Sequence, residues 1–201
     1  MSSKWKIIQI ISTGCCLYAM INQCCSERKF YISLERPVID FTDPKSVTNL
    51  VVKSKRLSRS DPVHYLTINL TTMVTFDKQF MVYFAFYELL SNVYKRSFVE
   101  WHNNGCEFLE NDILLGSALR AVYYKYNKDK GPLKCPMPPG NYSFPNMFIS
   151  LSALLDKFPF QQGRVFVNVS RVRSVEERAF CGHIDFQIKS FRADRYGANN
   201  N

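Results

Sequence analysis

Apolar and polar residues alternate along several stretches of this chain, and each such stretch predicts a half-buried β-strand. In 63–76 (VHYLTINLTTMVTF), Leu66, Ile68 and Leu70 face one way, and Tyr65, Thr67, Asn69 and Thr71 face the other. In 164–173, Val165, Val167 and Val169 share one side, opposite Phe166 and Asn168. Residues 178–191 read as the last strand, with Gly182, Ile184, Phe186 and Ile188 inward, and 174–177 joins this final pair as a hairpin. A looser alternation over 27–35 sets Phe30, Ile32 and Leu34 on one face of a first strand, with 37–44 as a connection. The stretch 79–90 (QFMVYFAFYELL) is apolar on both faces, Phe80, Val82, Phe84 and Phe86 against Met81, Tyr83, Ala85 and Tyr87. A strand of this kind is central in a sandwich, or is flanked by a helix or a ligand, so it is the candidate floor of a cavity.

The period changes after Asn111. Leu115, Leu119, Val122 and Tyr126 recur at helical spacing and predict one amphipathic helix. Asn111 or Asp112 can cap its start, and Asn127 with Gly131-Pro132 can end it. Cys106 lies before this helix and Cys135 after it, so a bond between them would tie both ends together. Closing a loop of that length contributes about 3 to 4 kcal/mol on a chain-entropy argument. The proline-rich passage from Cys135 to Pro145 cannot be a central strand. Residues 147–155 (MFISLSALL) fit a strand or a short helix, and 157–163 reads as a turn. The pattern as a whole, six to eight antiparallel strands with one stapled helix, predicts a mainly β, two-layer sandwich whose open side the helix covers.

At 201 residues the chain is long enough for one domain with a full core. Its 16 Phe and 11 Tyr argue against disorder and suit a wide β core or an apolar pocket. The first residues change the picture more. Lys4 and Lys6 precede an apolar stretch too short to span a bilayer, and small residues follow at Cys24 and Ser26. That is the layout of a signal peptide over 1–26, with an uncleaved anchor as the alternative. The expected domain is then 27–191, followed by a polar disordered tail over 192–201. Cleavage lowers the formal charge from +9 to +7 by removing the two lysines. It also removes Cys15, Cys16, Cys24 and Cys25 and leaves Cys106, Cys135 and Cys181, an odd number for an extracellular protein. The favoured pair is Cys106 with Cys135, leaving Cys181 free or available to link a dimer of an otherwise monomeric protein. Asn69, Asn141 and Asn168 each begin an Asn-x-Ser/Thr acceptor sequence for glycosylation, which fits export.

Candidate chemistry is sparse. Cys181, His183 and Asp185 alternate onto one face of the last strand and could form a nucleophile or metal site, or simply its polar side. No positioned base or oxyanion donor accompanies them, and no phosphate loop, nucleophile elbow, zinc spacing or paired-carboxylate motif is present in the sequence. The expectation is therefore a non-enzymatic protein with no catalytic residue, no metal and no cofactor. The basic run Lys53, Lys55, Arg56 and Arg59 suits a solvated strand face, or attraction to anionic lipid headgroups at a membrane surface. Basic and acidic residues interleave elsewhere, so no nucleic-acid partner is expected. A hydrophobic ligand would meet Phe80, Val82, Phe84, Phe86, Val165 and Val167 from the strands. The helix would add Leu115, Leu119 and Val122, and the ambiguous segment Phe148 and Leu151.

From Trp101 onward the order of residues is distinctive. Asn104 to Leu109 reads N-x-C-x-F-L, a helix follows, Cys135 to Tyr142 reads C-P-x-x-x-G-x-Y, and Pro159 to Gly163 reads P-x-x-x-G before an apolar strand. Over roughly residues 80–190 this resembles the insect secreted MD-2-related (ML-like) proteins, which include the chemosensory B proteins and are similar to the ganglioside-activator lipid-binding fold. The resemblance implies an immunoglobulin-like, two-sheet antiparallel β-sandwich with an apolar cavity between its sheets. It implies extracellular binding of a lipid or other hydrophobic molecule, as in pheromone detection, without catalysis. Cys106 and Cys135 match the family's cysteines. An additional pair that many relatives carry nearer the N-terminus is missing from the mature chain, and Cys181 is extra. The expected function is that of a secreted carrier or presenter of a hydrophobic ligand. The alternative is an extracellular interaction module or co-receptor whose core is filled by its own side chains.

Overall fold

The computed structural model describes residues 28–192 apart from 60, 114, 129–130, 150–158 and 173–175. The leader expected at 1–26 and the tail beyond Arg192 lie outside the described residues. So does most of the ambiguous stretch 147–155, including Leu151. Residues 31–189 form one compact unit, and all packing discussed below is within it.

Among the described residues, eight strands and two helices follow one another. They are β1 (Arg28–Thr42), β2 (Val47–Arg56), β3 (His64–Thr72), β4 (Phe80–Leu90), β5 (Val93–Asn104), α1 (Gly105–Asn111), α2 (Leu115–Tyr126), β6 (Gly140–Met147), β7 (Gln162–Val172) and β8 (Glu176–Arg192). They build two antiparallel sheets, one ordered β1-β8-β7-β4-β5 and the other β2-β3-β6. The inward faces of both sheets meet in the core, where Phe80, Val82 and Phe84 of β4 join Tyr142 and Phe144 of β6. The two-sheet antiparallel sandwich expected from the alternation is the observed architecture.

Several elements differ from the expectation, and each has a local cause. β1 runs through Pro37 to Thr42 instead of ending before it. It is an edge strand, where a missing N–H need not break a ladder, and Arg36 adopts φ 50° just ahead of the proline. β5 pairs with β4 through the two-residue loop Ser91-Asn92, whose residues both have positive φ (49° and 63°), as a type I′ hairpin requires. β6 occupies the proline-rich passage and, consistent with Pro145, forms an edge. The outer face of β4 needs no covering layer. Tyr83 donates to Glu100 at 2.6 Å and accepts from Arg96 at 2.9 Å, and the Tyr87 ring lies 4.8 Å from that of Phe166.

Two helices stand where one was expected. Asn104 caps α1: its Oδ1 accepts from the Glu107 N–H at 2.9 Å, and its Nδ2 donates back to Glu107 Oε2 at 3.1 Å. Asp112 then turns extended (ψ 128°) and ends α1, while its Oδ1 accepts from the Gly116 N–H at 2.6 Å to start α2. Arg120 of α2 reaches back to α1, donating to the carbonyls of Leu109 at 2.6 Å and Asp112 at 3.1 Å, which a helix end leaves unpaired. Gly116 permits this approach, since a Cβ there would run into the Phe108 carbonyl and come within 2.8 Å of Asp112 Cβ. Among the described residues no helix is long and apolar enough to cross a membrane.

Cys106 of α1 and Cys135 are joined, closing a separation of 29 residues that contains both helices, and Cys181 is free. Such a bond suits an oxidising compartment. Replacing both cysteines by serine should lower the stability measured by urea unfolding by about 3 to 4 kcal/mol, the entropy of opening a loop of that length. An unchanged urea midpoint would show that the helix pair holds without its tie.

Candidate functional site

The sheets do not fill the space between them. A cavity of about 430 Å³ remains, and its walls come from every strand and both helices. The floor is the inner face of β4, Phe80, Val82, Phe84 and Phe86, widened by Val165, Val167 and Val169 of β7. Facing it are Leu66, Ile68 and Leu70 of β3, Leu50 and Val52 of β2, and Phe144 and Met147 of β6. One end is the helix pair, with Phe108, Leu109, Leu115 and Leu119 turned in. There the aromatic side chains pack on each other: Phe84 stacks on Trp101 at 5.1 Å and lies 5.9 Å from Phe108. By contrast, β7 offers three valines and β8 offers Ala179 and Gly182. The valines of β7 and the small Ala179 and Gly182 leave room beside the larger Phe180, Ile184, Phe186 and Ile188 of β8. Gly182 has a second role, because a Cβ on it would strike the Val38 carbonyl and meet Ile39 Cα at 3.3 Å, so its absence lets β1 lie against β8.

The lining is almost free of polar side chains. Ser46, Thr72 and His183 are the ones that reach it among the described residues, and each already has a partner. Ser46 donates to Asp43 at 2.7 Å, Thr72 Oγ1 accepts from the Gly140 N–H at 3.1 Å, and His183 Nδ1 lies 2.9 Å from Asp40 Oδ2. The cavity therefore offers shape and apolar surface, not hydrogen-bond specificity or charge.

Beside Leu34 and Leu66 the two sheets are joined by hydrogen bonds. Ser54 of β2 donates to the Leu34 carbonyl of β1 at 2.6 Å, and Ser33 Oγ of β1 lies 2.9 Å from His64 Nδ1 of β3 and 3.1 Å from Glu35 Oε1. Burial pushes the His64 pKa below its ordinary value, the nearby Arg56 and Lys189 push it the same way, and Glu35 opposes them.

Most of the expected lining is in place: Phe80, Val82, Phe84, Phe86, Leu115, Leu119, Val165 and Val167 all face the cavity. Val122 packs at the core margin behind it. Phe148 does not line it. It is 49% exposed, 6.1 Å from the Tyr65 ring, because β6 carries a bulge. Leu66 pairs with Met147 but Ile68 pairs with Phe144, so one extra residue on β6 shifts the parity, burying Met147 and turning Phe148 outward. The walls from β1, β2 and β5 were absent from the expected lining. For β8, the inward row Gly182, Ile184 and Phe186 was already legible as alternation.

Cys181, His183 and Asp185 share a face but do not form a unit. Arg164 binds Asp185 through two bonds, at 2.6 and 3.1 Å, and stacks 4.1 Å from the Tyr94 ring. Burial alone would raise the Asp185 pKa, but the bonds from Arg164 and Tyr94 outweigh it and hold it below the usual value. His183 is committed to Asp40. No bond among those described links the thiol to the imidazole or the imidazole to Asp185. Of the acceptor asparagines, Asn69 and Asn141 are exposed and Asn168 is half-buried.

The neutral His64 ring is favoured in the fold, so the unfolded chain takes up its proton first as pH falls through about 6.5, and the stability this site contributes is lost over that window. Urea midpoints measured at about pH 7.5 and 5.5 should therefore fall with pH, and His64→Gln should flatten that fall. An equally steep fall in the variant would remove His64 from the account.

Compared with known proteins, the chain matches no family model and no curated protein.

Proposed function

We propose that this protein is a secreted, non-enzymatic glycoprotein that carries or presents a lipid or other hydrophobic ligand in the cavity between its sheets. The cavity carries the proposal: about 430 Å³ of apolar space whose few polar side chains are already partnered. Its size falls in the range of ligand pockets, roughly 300–1,000 Å³. An apolar chain bound there is stabilised by roughly 25 cal/mol for each Å² withdrawn from water. The absence of a free polar group in the described lining favours an aliphatic ligand whose polar end stays outside.

The sandwich and the Cys106–Cys135 bond are what the resemblance to the MD-2-related proteins implies, with chemosensation as one setting for such a carrier. A membrane surface is the natural source of such a ligand, and Lys53 and Lys55, exposed on β2, suit anionic headgroups. The rival reading is an extracellular interaction module. It draws on Phe98, 86% exposed on the edge strand β5, and on the free, half-exposed Cys181, through which two copies could join.

Native mass spectrometry of the secreted protein should find an adduct that solvent extraction removes, and the extracted protein should bind a fluorescent fatty acid. Val167→Phe, which fills the cavity from β7, should weaken that probe by about tenfold or more, or ~1.4 kcal/mol, while circular dichroism stays unchanged. If the wild type carries no adduct and binds no probe, the carrier reading fails and the interaction module replaces it.

A further inference from the structure

Two of the three acceptor sequences meet across one pair of strands. Asn69-Leu70-Thr71 lies on β3 and Asn141-Tyr142-Ser143 on β6, and the antiparallel register sets Asn69 opposite Ser143 and Thr71 opposite Asn141. The middle residue of each points inward: Leu70 lines the cavity and Tyr142 is buried in the core. Alternation therefore puts both asparagines and both hydroxyls on the outer face of the small sheet. Each hydroxyl bonds the asparagine of the other sequence. Thr71 Oγ1 donates to Asn141 Oδ1 at 2.7 Å, and Ser143 Oγ donates to Asn69 Oδ1 at 2.7 Å.

This arrangement engages the two carboxamide oxygens and turns the two nitrogens away from the bonds. A glycosylated asparagine keeps its oxygen, so both cross-strand bonds survive modification. Asn69 and Asn141 are diagonal neighbours on adjacent strands, a relation that places side-chain roots within roughly 7–8 Å. Beside them lies an open hollow of about 260 Å³, also bordered by Asn49 and Leu70, where the first sugars can sit side by side.

Asn168 has a different environment. It sits on β7 with Tyr83 of β4 on one side and Cys181 of β8 on the other, well inside the five-stranded sheet. Its Oδ1 is enclosed without a hydrogen-bond partner, and Ser170, which completes its acceptor sequence, is 3% exposed. A glycan rooted there would have to displace the side chains that enclose the amide.

We infer that the exported protein carries paired N-linked glycans on Asn69 and Asn141 and none on Asn168. In the transfer, the Nδ2 nitrogen attacks the anomeric carbon of an oligosaccharide carried on a polyprenyl pyrophosphate. The N–C bond forms, the C–O bond to pyrophosphate breaks with its electron pair on the departing oxygen, and the proton lost from nitrogen ends on the released lipid pyrophosphate. The pair covers the outer face of the small sheet with sugar and leaves the cavity on its other side untouched. The inference rests on the export part of the proposed function and is independent of the ligand.

The test is to express the full chain in animal cells, collect the secreted protein, release its glycans enzymatically in heavy-oxygen water and map the peptides. The label should appear at positions 69 and 141 and not at 168. Asn69→Gln and Asn141→Gln should each remove one glycan mass step, the double variant should remove both, and Asn168→Gln should leave the mass pattern unchanged. Secreted protein lacking the label at either of the pair, or bearing it at 168, overturns this inference and leaves the carrier reading standing. Protein retained in the cells and free of glycan overturns the inference together with export.

Discussion

Two apolar sheet faces must leave the water together in this molecule, yet the side chains on them do not fill the space between. That mismatch governs the rest of the structure. At one end the rings of Phe84 and Trp101 on the large sheet pack with Phe108 of α1, and the two sheets are joined elsewhere by the bonds from Ser54 to Leu34 and between Ser33 and His64. Between them β7 contributes valines, and β8 contributes the small Ala179 and Gly182 beside the larger Ile184 and Phe186. Closer approach would push the rings into the opposite wall, and larger residues on β7 and β8 would fill the cavity. The structure keeps the space open, at a cost that burial of a ligand can offset.

The helix pair matters because it closes that space. Neither helix is long enough to be stable alone, so both depend on being anchored. The anchoring is redundant: a reciprocal cap at Asn104, the Asp112 carboxylate at the start of α2, Arg120 on the last carbonyls of α1, and the Cys106–Cys135 bond. With the helices fixed, Phe108, Leu109, Leu115 and Leu119 form one wall of the cavity.

The outer faces of the two sheets divide the polar chemistry between them. The large sheet covers itself with ion pairs and stacked rings, Arg164 with Asp185 and Tyr94, His183 with Asp40, and Arg96 with Glu100 and Tyr83. Pairs this accessible add little stability. They commit His183 to Asp40 and Asp185 to Arg164, so neither neighbour of Cys181 on that face is bonded to the thiol among the described bonds. The small sheet instead presents neutral amides and hydroxyls on β3 and β6, bonded across the strands through the asparagine oxygens.

Much of this could be read from the chain alone, and the limits of that reading are physical. Alternation identified the inward faces of β3, β4, β7 and β8 because a half-buried strand writes its burial into every second residue. Helical spacing located α2, and the cysteines flanking it suggested the bond that forms. Edge strands carry a weaker imprint, which is why β5, β6 and the second half of β1 were not legible as strands. α1 left one local sign, Asn104 three residues before Glu107, but seven residues are too few for a periodic signal. Phe148 was misplaced by a bulge in β6 that no local rule announces, since the one extra residue is defined only against β3. By itself, then, the sequence determined which faces are apolar, where the chain turns and that two layers would form. Tertiary structure alone decided which strands became neighbours, how far apart the sheets stand and that a cavity remains. Those depend on side chains distant in sequence meeting across a gap, and periodicity along one strand carries no record of what lies opposite.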